Sequence, residues 1–430
     1  MIYRAFFLIF FFFSFSAYTF AQNEQYVAGE LLVKLKPSTF LAKSSQDNVN
    51  PRMAAFNALN ASFGILHVQT IFKRKPSYML NKPDDELNRI FKIKFPEEMN
   101  LNDIMAAYQQ DDNIEYVQPN YVHQIDFVPN DSLFSEQMAL QIIETEKAWD
   151  RQLASSEVIV GVIDTGIDYH HEDLRAALWM NAGEDLDGNG QVDSTDFNGL
   201  DDDGNGFIDD IRAWDFTDAP SFPDGGDFQT PDNDPFDENG HGTSVAGIIG
   251  ATGNNRKGIA GGAFGCRIMN LRAGTSLGFL EEDDVASAIV YAVENGARII
   301  NMSFGDEVAS PLLQDVMQYA AGQNCVLVAS AGNSNTDKIH FPSGFAETIS
   351  VGATNQNDVL AGFSNYGSSV DVVAPGVNIL TTQPGNQYGK FSGTSASAPL
   401  VSALSALILS KFPDLSYESL KGLITSTTND

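Results

Sequence analysis

The sequence predicts an α/β protein. Its larger part is a three-layer domain with a central, mainly parallel sheet, preceded by a small α+β (ferredoxin-like) unit. Two observations carry this. From Val158 onward, apolar runs ending in small or polar residues ("VIVGVID", "CRIMNLRA", "RIINMSFG", "CVLVASAGN") alternate with helical stretches ("TSVAGIIGA", "DDVASAIVYAVENG", "LLQDVMQYAAG"). Runs without polar alternation suit strands buried on both faces, hence a parallel sheet between helix layers. Ahead of them, "GELLVKLKP" and "IFKIKFP" read as strands, "NLNDIMAAYQQ" as a helix capped by Asn102, and "IEYVQPNYVHQI" as a closing strand with a proline at its edge. "VPNDSLF" reads as the linker between the two parts.

The 430 residues, 43% apolar and 19% charged, describe an ordered soluble protein. Arg4 is followed by "AFFLIFFFFSFSAYTFA", with Thr19 and Ala21 at cleavage positions, which predicts a secretory signal peptide over residues 1–21. The apolar core is short for a membrane span of about 20 residues, and nothing later is long enough for one. The working chain is therefore expected to be secreted or periplasmic. Cys266 and Cys325 each open an apolar run, so buried free thiols are expected, with a single bridge as the alternative. Charge is lopsided: residues 22–126 carry 13 acids and 11 bases, and residues 127–430 carry 43 acids and 13 bases. No basic stripe could follow a phosphate backbone, which excludes nucleic acid as a partner class. Residues 181–240 alone hold 18 acids and one base, Arg212, so this insertion is either a solvated loop or a cation site.

In open parallel sheets, functional groups collect at the carboxyl ends of the strands. "GVIDTGID" ends a strand with Asp164, "NGHGTSVAGII" places His241 just before an apolar helix, and "SGTSASAP" places Ser395 at the start of another. A serine hydroxyl becomes a nucleophile when an imidazole accepts its proton, and the imidazole needs a buried carboxylate to fix its tautomer. Asn333 in "ASAGN" ends a further strand, where a side-chain amide can donate to a tetrahedral oxyanion.

These four segments, in the order Asp, His, Asn, Ser, resemble the subtilisin-like serine proteases (subtilases) over about residues 131–430. Subtilisin carries its catalytic residues in the same Asp–His–Ser chain order. The resemblance implies that Asp164 orients His241, that His241 is general base and then acid, and that Ser395 attacks the scissile carbonyl. Asn333 and the Ser395 backbone N–H would form the oxyanion hole. The family often has methionine directly after the serine, where this chain has Ala396, and histidine three residues beyond the catalytic one, where it has Ser244. Ser303, Phe304 and Gly305, with Leu277 and Gly278, match the two strands that hold an extended protein or peptide substrate. Ala331 and Gly332 would wall a roomy first pocket, which implies broad specificity with a preference for large apolar side chains. Residues 22–126 resemble the inhibitory propeptide of such enzymes, most clearly at "IEYVQPNYV", giving a self-processing zymogen cut between about His123 and Asn130. The domain reading is thus leader 1–21, propeptide 22–126 and peptidase 127–430.

Calcium is the expected cofactor, in a structural role, with no organic cofactor. "DLDGNGQVDSTD" fits an EF-hand loop with Asp185, Asp187, Asn189, Gln191, Asp193 and Asp196, although its twelfth residue is Asp rather than Glu. "DDDGNGFIDD" repeats the pattern with Asp201, Asp203, Asn205 and Asp209, and there the twelfth position is Arg212. The family resemblance adds a further site at Asp131, Asp173 and Asn255. Two rivals stand beside this reading. "GTSLG" is a literal G-x-S-x-G that would make Ser276 an esterase nucleophile with His340, but it leaves the Asp164, His241 and Asn333 contexts unexplained. A non-catalytic binding module would be expected to lose a triad member, and all three are present. His170 and His171, beside Glu172 and Asp173, read as a turn rather than a zinc site.

Overall fold

The computed structural model describes residues 26–37, 51–72, 86–122, 127–222 and 226–427. The expected leader and residues 123–126 of the expected cut region lie outside these. Contacts divide the chain into Met1–Ile125 and Asp126–Asp430. Among the described residues, no helix is long and apolar enough to cross a membrane.

The first unit runs β1 (Tyr26–Leu35), α1 (Pro51–Ser62), β2 (His67–Thr70), β3 (Ile90–Lys94), α2 (Leu101–Gln109) and β4 (Ile114–Tyr121). Its strands pair antiparallel in the order β2-β3-β1-β4, a ferredoxin-like βαββαβ arrangement. Alternation along β1 turns Leu31, Val33 and Leu35 into a core shared with Phe56, Ile93, Ile104 and Tyr108. The cap of α2 is Asn100 rather than Asn102: its side chain accepts the backbone N–H groups of Asn102 and Asp103. Asn102 instead lies in the first turn, so the reading from sequence was two residues late.

The second unit is built on seven strands: β5 (Ile159–Asp164), β6 (Trp214–Asp215), β7 (Arg267–Arg272), β8 (Ile299–Met302), β9 (Val326–Ser330), β10 (Thr348–Thr354) and β11 (Val372–Pro375). They lie in the order β11-β10-β9-β8-β5-β7-β6, and every neighbouring pair is parallel. A separate antiparallel hairpin joins β12 (Ile379–Gln383) to β13 (Gln387–Phe391). Short helices α3 (Met138–Ile142) and α4 (Thr145–Trp149) precede the sheet. The longer helices are α5 (His241–Gly250), α6 (Glu282–Glu294), α7 (Pro311–Gly322), α8 (Thr394–Lys411) and α9 (Tyr417–Thr427).

Both faces of the sheet are buried, as the apolar runs require. Val160, Val162, Val326 and Val328 belong to the core that includes residues of α5 and α8, whereas Ile163, Ile300, Met302 and Leu327 belong to the one that includes residues of α6 and α7. Each such side chain contributes on the order of 1.5–3 kcal/mol of burial free energy. Cys266 and Cys325 are free and buried, and burial pushes both thiols up to about 12.

Candidate active site

Asp164 is the last residue of β5, the strand from which the sheet grows in both directions, with β7 on one side and β8 on the other. Such a switch point opens a crevice at the strand ends. The Asp164 side chain is buried; its Oδ1 accepts the Thr165 N–H at 2.8 Å and lies 2.7 Å from His241 Nδ1. Its Oδ2 is buried without a donor among the described residues. His241 is the first residue of α5, and glycine follows it for a steric reason: a Cβ at Gly242 would collide with the Gly166 carbonyl and crowd the Asp164 side chain.

A second carboxylate, Asp237, ties these two segments together. Its Oδ1 accepts the Thr165 hydroxyl at 2.9 Å and the N–H groups of Asn239 and Gly240; its Oδ2 accepts the N–H and hydroxyl of Thr243. The Thr165 hydroxyl also accepts the Gly242 N–H at 3.1 Å. Asp237 thus caps α5 and grips the residue next to Asp164. Sequence reasoning missed it, although an acid just ahead of an apolar helix is a capping signal. The stretch leading to it is anchored by Arg272, fully buried at the end of β7. Its guanidinium meets Asp215 at 3.2 Å, Glu238 at 2.9 Å, and the carbonyls of Phe236 and Asp227.

Burial pulls the His241 pKa down, but the charge and hydrogen bond of Asp164, helped by the charge of Asp237, outweigh it. The imidazole therefore sits above its ordinary value. The Phe391 ring stands edge-on to it, with centroids 5.2 Å apart.

Ser395 lies in the first turn of α8, where backbone N–H groups have no partner one turn earlier. Pro399 shapes this turn: without an N–H it cannot bond the Ser395 carbonyl, which instead accepts the Ser303 hydroxyl at 3.1 Å. The Ser395 hydroxyl donates to the Ser303 carbonyl at 2.9 Å. Ser303 is held in turn by Asn301, and Asn301 by Ser402 of the same helix. Asn333 follows the end of β9. Its Oδ1 accepts both the N–H and the hydroxyl of Thr394, which leaves its amide nitrogen as a donor beside Ser395. His241, Asp164, Leu277, Gly278, Ser303 and Phe304 line one cleft of about 280 Å³. Gly305 lines a neighbouring hollow with Gly278 and Phe304. Ala331 and Gly332 directly follow β9, and the Gly332 N–H donates to the Thr394 hydroxyl. An imidazole held by a buried carboxylate, a hydroxyl at a helix N-terminus and a free amide donor can together carry out acyl transfer. No pairing joins Ser276 to His340, whose Nδ1 lies 3.2 Å from the Ser330 carbonyl.

The acidic loops gather differently from an EF-hand. Asp185, Asp187 and Asp196 present oxygens within 4.8 Å of one another, and so do Glu184, Asp201 and Asp203. Asp185 Oδ1, Asp196 Oδ1 and Glu184 Oε2 are buried without donors among the described residues. Orphaned carboxylate oxygens at this spacing fit a hard divalent cation that takes oxygen ligands at about 2.3–2.6 Å. Glu184 is fully buried, and burial, with Asp210 and Asp203 nearby, holds its carboxyl above the usual range. Asn189, Gln191 and Asp193 bond within their own loop, and hydrogen bonding from Thr195 keeps Asp193 below the usual range. Asn205 donates to Asp203 and Asp210, and Asp209 caps the Asn198–Gly199 turn. Asp131, Asp173 and Asn255 do meet, but the carboxylate oxygens already accept donors. Asn254 and Asn255 donate to Asp131; Asn255, Ile259 and Tyr388 donate to Asp173. This closed set fits a cation less well than the two loops.

A doubly covered parallel sheet with an Asp–His pair at its switch point and a serine at a helix N-terminus defines a serine hydrolase of the subtilisin architecture. The Subtilase family model matches residues 155–430, and the chain belongs to that family. It is 37% identical to the thermophilic serine proteinase of Bacillus sp. (strain AK1), across 73% of this chain and 67% of that one. It is 35% identical to thermitase of Thermoactinomyces vulgaris, across 66% of this chain and 86% of that one. A solved protease of Pseudoalteromonas arctica PAMC 21717 superposes with a TM-score of 0.59 at 26% identity, covering 71% of this chain and 93% of its own. The protein is a serine protease, and its substrates are proteins.

Proposed function

We propose that the protein is an exported endopeptidase, made as a self-processing zymogen, in which Asp164, His241 and Ser395 form the catalytic triad. The Asp164–His241 pair at 2.7 Å carries the reading. Rotation of the Ser395 side chain from the Ser303 carbonyl toward His241 readies the hydroxyl. The imidazole takes its proton as the oxygen attacks the peptide carbonyl, while Asp164 holds the tautomer and supports the cation. The Asn333 amide and the Ser395 N–H receive the oxyanion. His241 then protonates the leaving amine, and water repeats the sequence on the acyl-enzyme. Leu277–Gly278 and Ser303–Gly305 would pair with the substrate main chain on either side, with Ala331 and Gly332 beyond them. Residues 1–21 serve as leader and 22–126 as propeptide, and the mature enzyme is secreted or periplasmic. The ferredoxin-like first unit supports the propeptide assignment.

Calcium would be held by Asp185, Asp187 and Asp196, and by Glu184, Asp201 and Asp203. It would supply the positive charge that lets Glu184 and Asp196 stay ionised while buried, and it would take no part in bond cleavage. One experiment tests the whole reading: intact mass and peptide cleavage for wild type and Ser395→Ala, with calcium and then with chelator. Wild type should lose about 100 residues and cleave peptides while the variant does neither. A variant that still matures and cleaves would overturn the triad.

A further inference from the structure

Gly305 and Gly332 both have backbone conformations in the positive-φ region, at 148° and 101°, and both face the same side chain. A Cβ built on Gly305 would lie 2.6 Å from His340 Cε1 and 3.0 Å from Nδ1. One built on Gly332 would lie 2.9 Å from Cδ2 and 3.1 Å from Cγ. Opposite edges of one imidazole therefore touch the two bare stretches of backbone. Those stretches frame the nucleophile: Ser303, two residues before Gly305, accepts the Ser395 hydroxyl, and Gly332 donates to Thr394. On the substrate-binding reading above, the side chain of the residue whose carbonyl is attacked passes between them.

We infer that His340 plugs this passage and makes the enzyme select peptides with a short side chain there (glycine, alanine or serine) over aromatic and long aliphatic ones. The inference rests on the triad reading above. The ring is held in place from two directions. Its Nδ1 meets the Ser330 carbonyl, and the Phe341 and Asp306 backbones exchange hydrogen bonds of 2.7 and 3.0 Å, which locks the segment beside Gly305. Its carbonyl accepts the Ser343 hydroxyl and the Gly344 N–H. Burial holds its pKa below the ordinary value, so at neutral pH the plug is uncharged. The room that Ala331 and Gly332 leave is thus already taken, and a short side chain is what fits above the ring.

The test compares kcat/KM for peptides differing only at that residue (alanine, leucine or phenylalanine) in wild type, His340→Ala and His340→Phe. Wild type should favour alanine over phenylalanine by on the order of 10- to 100-fold, since pocket shape discriminates by such factors for a few carbons. His340→Ala should remove that preference by raising the phenylalanine rate, while the alanine rate changes little. His340→Phe, which keeps the bulk, should keep the preference. Wild type that cleaves phenylalanine as fast as alanine overturns the inference, as does a His340→Ala variant that moves all three rates together. Should His340→Ala fail to fold, the wild-type and His340→Phe profiles still decide the matter. The alanine peptide also separates the two readings: wild type inactive on every peptide sinks the triad and this inference with it, whereas activity without selectivity sinks this inference alone.

Discussion

Asp237 and Glu184 are both acids buried to within 2% of full enclosure, and they differ in what reaches them. Five protein donors converge on Asp237, from Thr165, Asn239, Gly240 and Thr243. Glu184 Oε1 accepts two backbone N–H groups, while Oε2 faces two further carboxylates and no donor. An ionised carboxylate taken out of water needs either hydrogen bonds or a counter-charge. Around Asp237 the chain supplies its own donors, so that carboxylate needs no counter-ion from solution. In the acidic insertion the chain supplies oxygens without donors, and on the calcium reading proposed above the counter-charge comes from a cation. The first arrangement should be indifferent to ions and the second dependent on them.

The largest effect should come from the pair itself. Asp164→Asn leaves the shape but presents the wrong tautomer of His241, and kcat should fall by about 10⁴-fold in steady-state peptide assays. Asp237→Asn should lower kcat by about 10²-fold through misplacement of the base, with KM little changed. It should also move the acid limb of the kcat/KM profile. As the proposed base, His241 would act only when neutral, and its pKa is raised, so the wild-type limb should lie above that of a free imidazole. Removing the Asp237 charge lowers that pKa and moves the limb to lower pH. A limb that stays put would show that Asp237 acts through shape alone.

The cation side of the comparison breaks with chelator. At calcium a hundredfold above its dissociation constant, each site should add about 2.7 kcal/mol of stability, read as a lower melting temperature after chelation. Glu184→Gln should weaken cation binding roughly 10- to 100-fold by titration calorimetry. The fluorescence of Trp214 offers a second readout, since Phe207 of the second loop packs against it with centroids 5.1 Å apart. Equal binding in wild type and Glu184→Gln would remove Glu184 from the site. The smallest effect lies in the other unit: Asn100→Ala should cost that unit about 1 kcal/mol in a denaturant melt, because it removes the cap of α2.

What the sequence made legible follows from where the information sits. The runs around β5, β7, β8 and β9 are apolar because both faces are covered, so the strands and their parallel sheet could be read directly. Asp164, His241, Asn333 and Ser395 each sit in a short local context at the end of such an element. Glu184 and His340 were not assigned these roles because each acts on chain segments far from its own, and the part of Asp237 that escapes a local capping signal is its grip on Thr165, 72 residues earlier. Glu184 joins Asp201 and Asp203 only once the insertion folds, and spacing within an EF-hand pattern points to Asp209 instead. His340 meets Gly305 and Gly332 only when the ends of β8 and β9 come together.

Ala396, fully buried beside Ser395, has a consequence for chemical durability. Hydrogen peroxide converts a methionine thioether to a bulkier, polar sulfoxide, and such a change next to Ser395 would distort the first turn of α8. This turn carries no sulfur. Met269, Met302, Met317 and both cysteines of the unit are enclosed, whereas Met138 is 53% exposed and belongs to a short helix ahead of the sheet. Among the described methionines of the second unit, an oxidant should therefore mark Met138 first, ahead of the half-buried Met180, as an added 16 Da on that unit, while peptide cleavage continues.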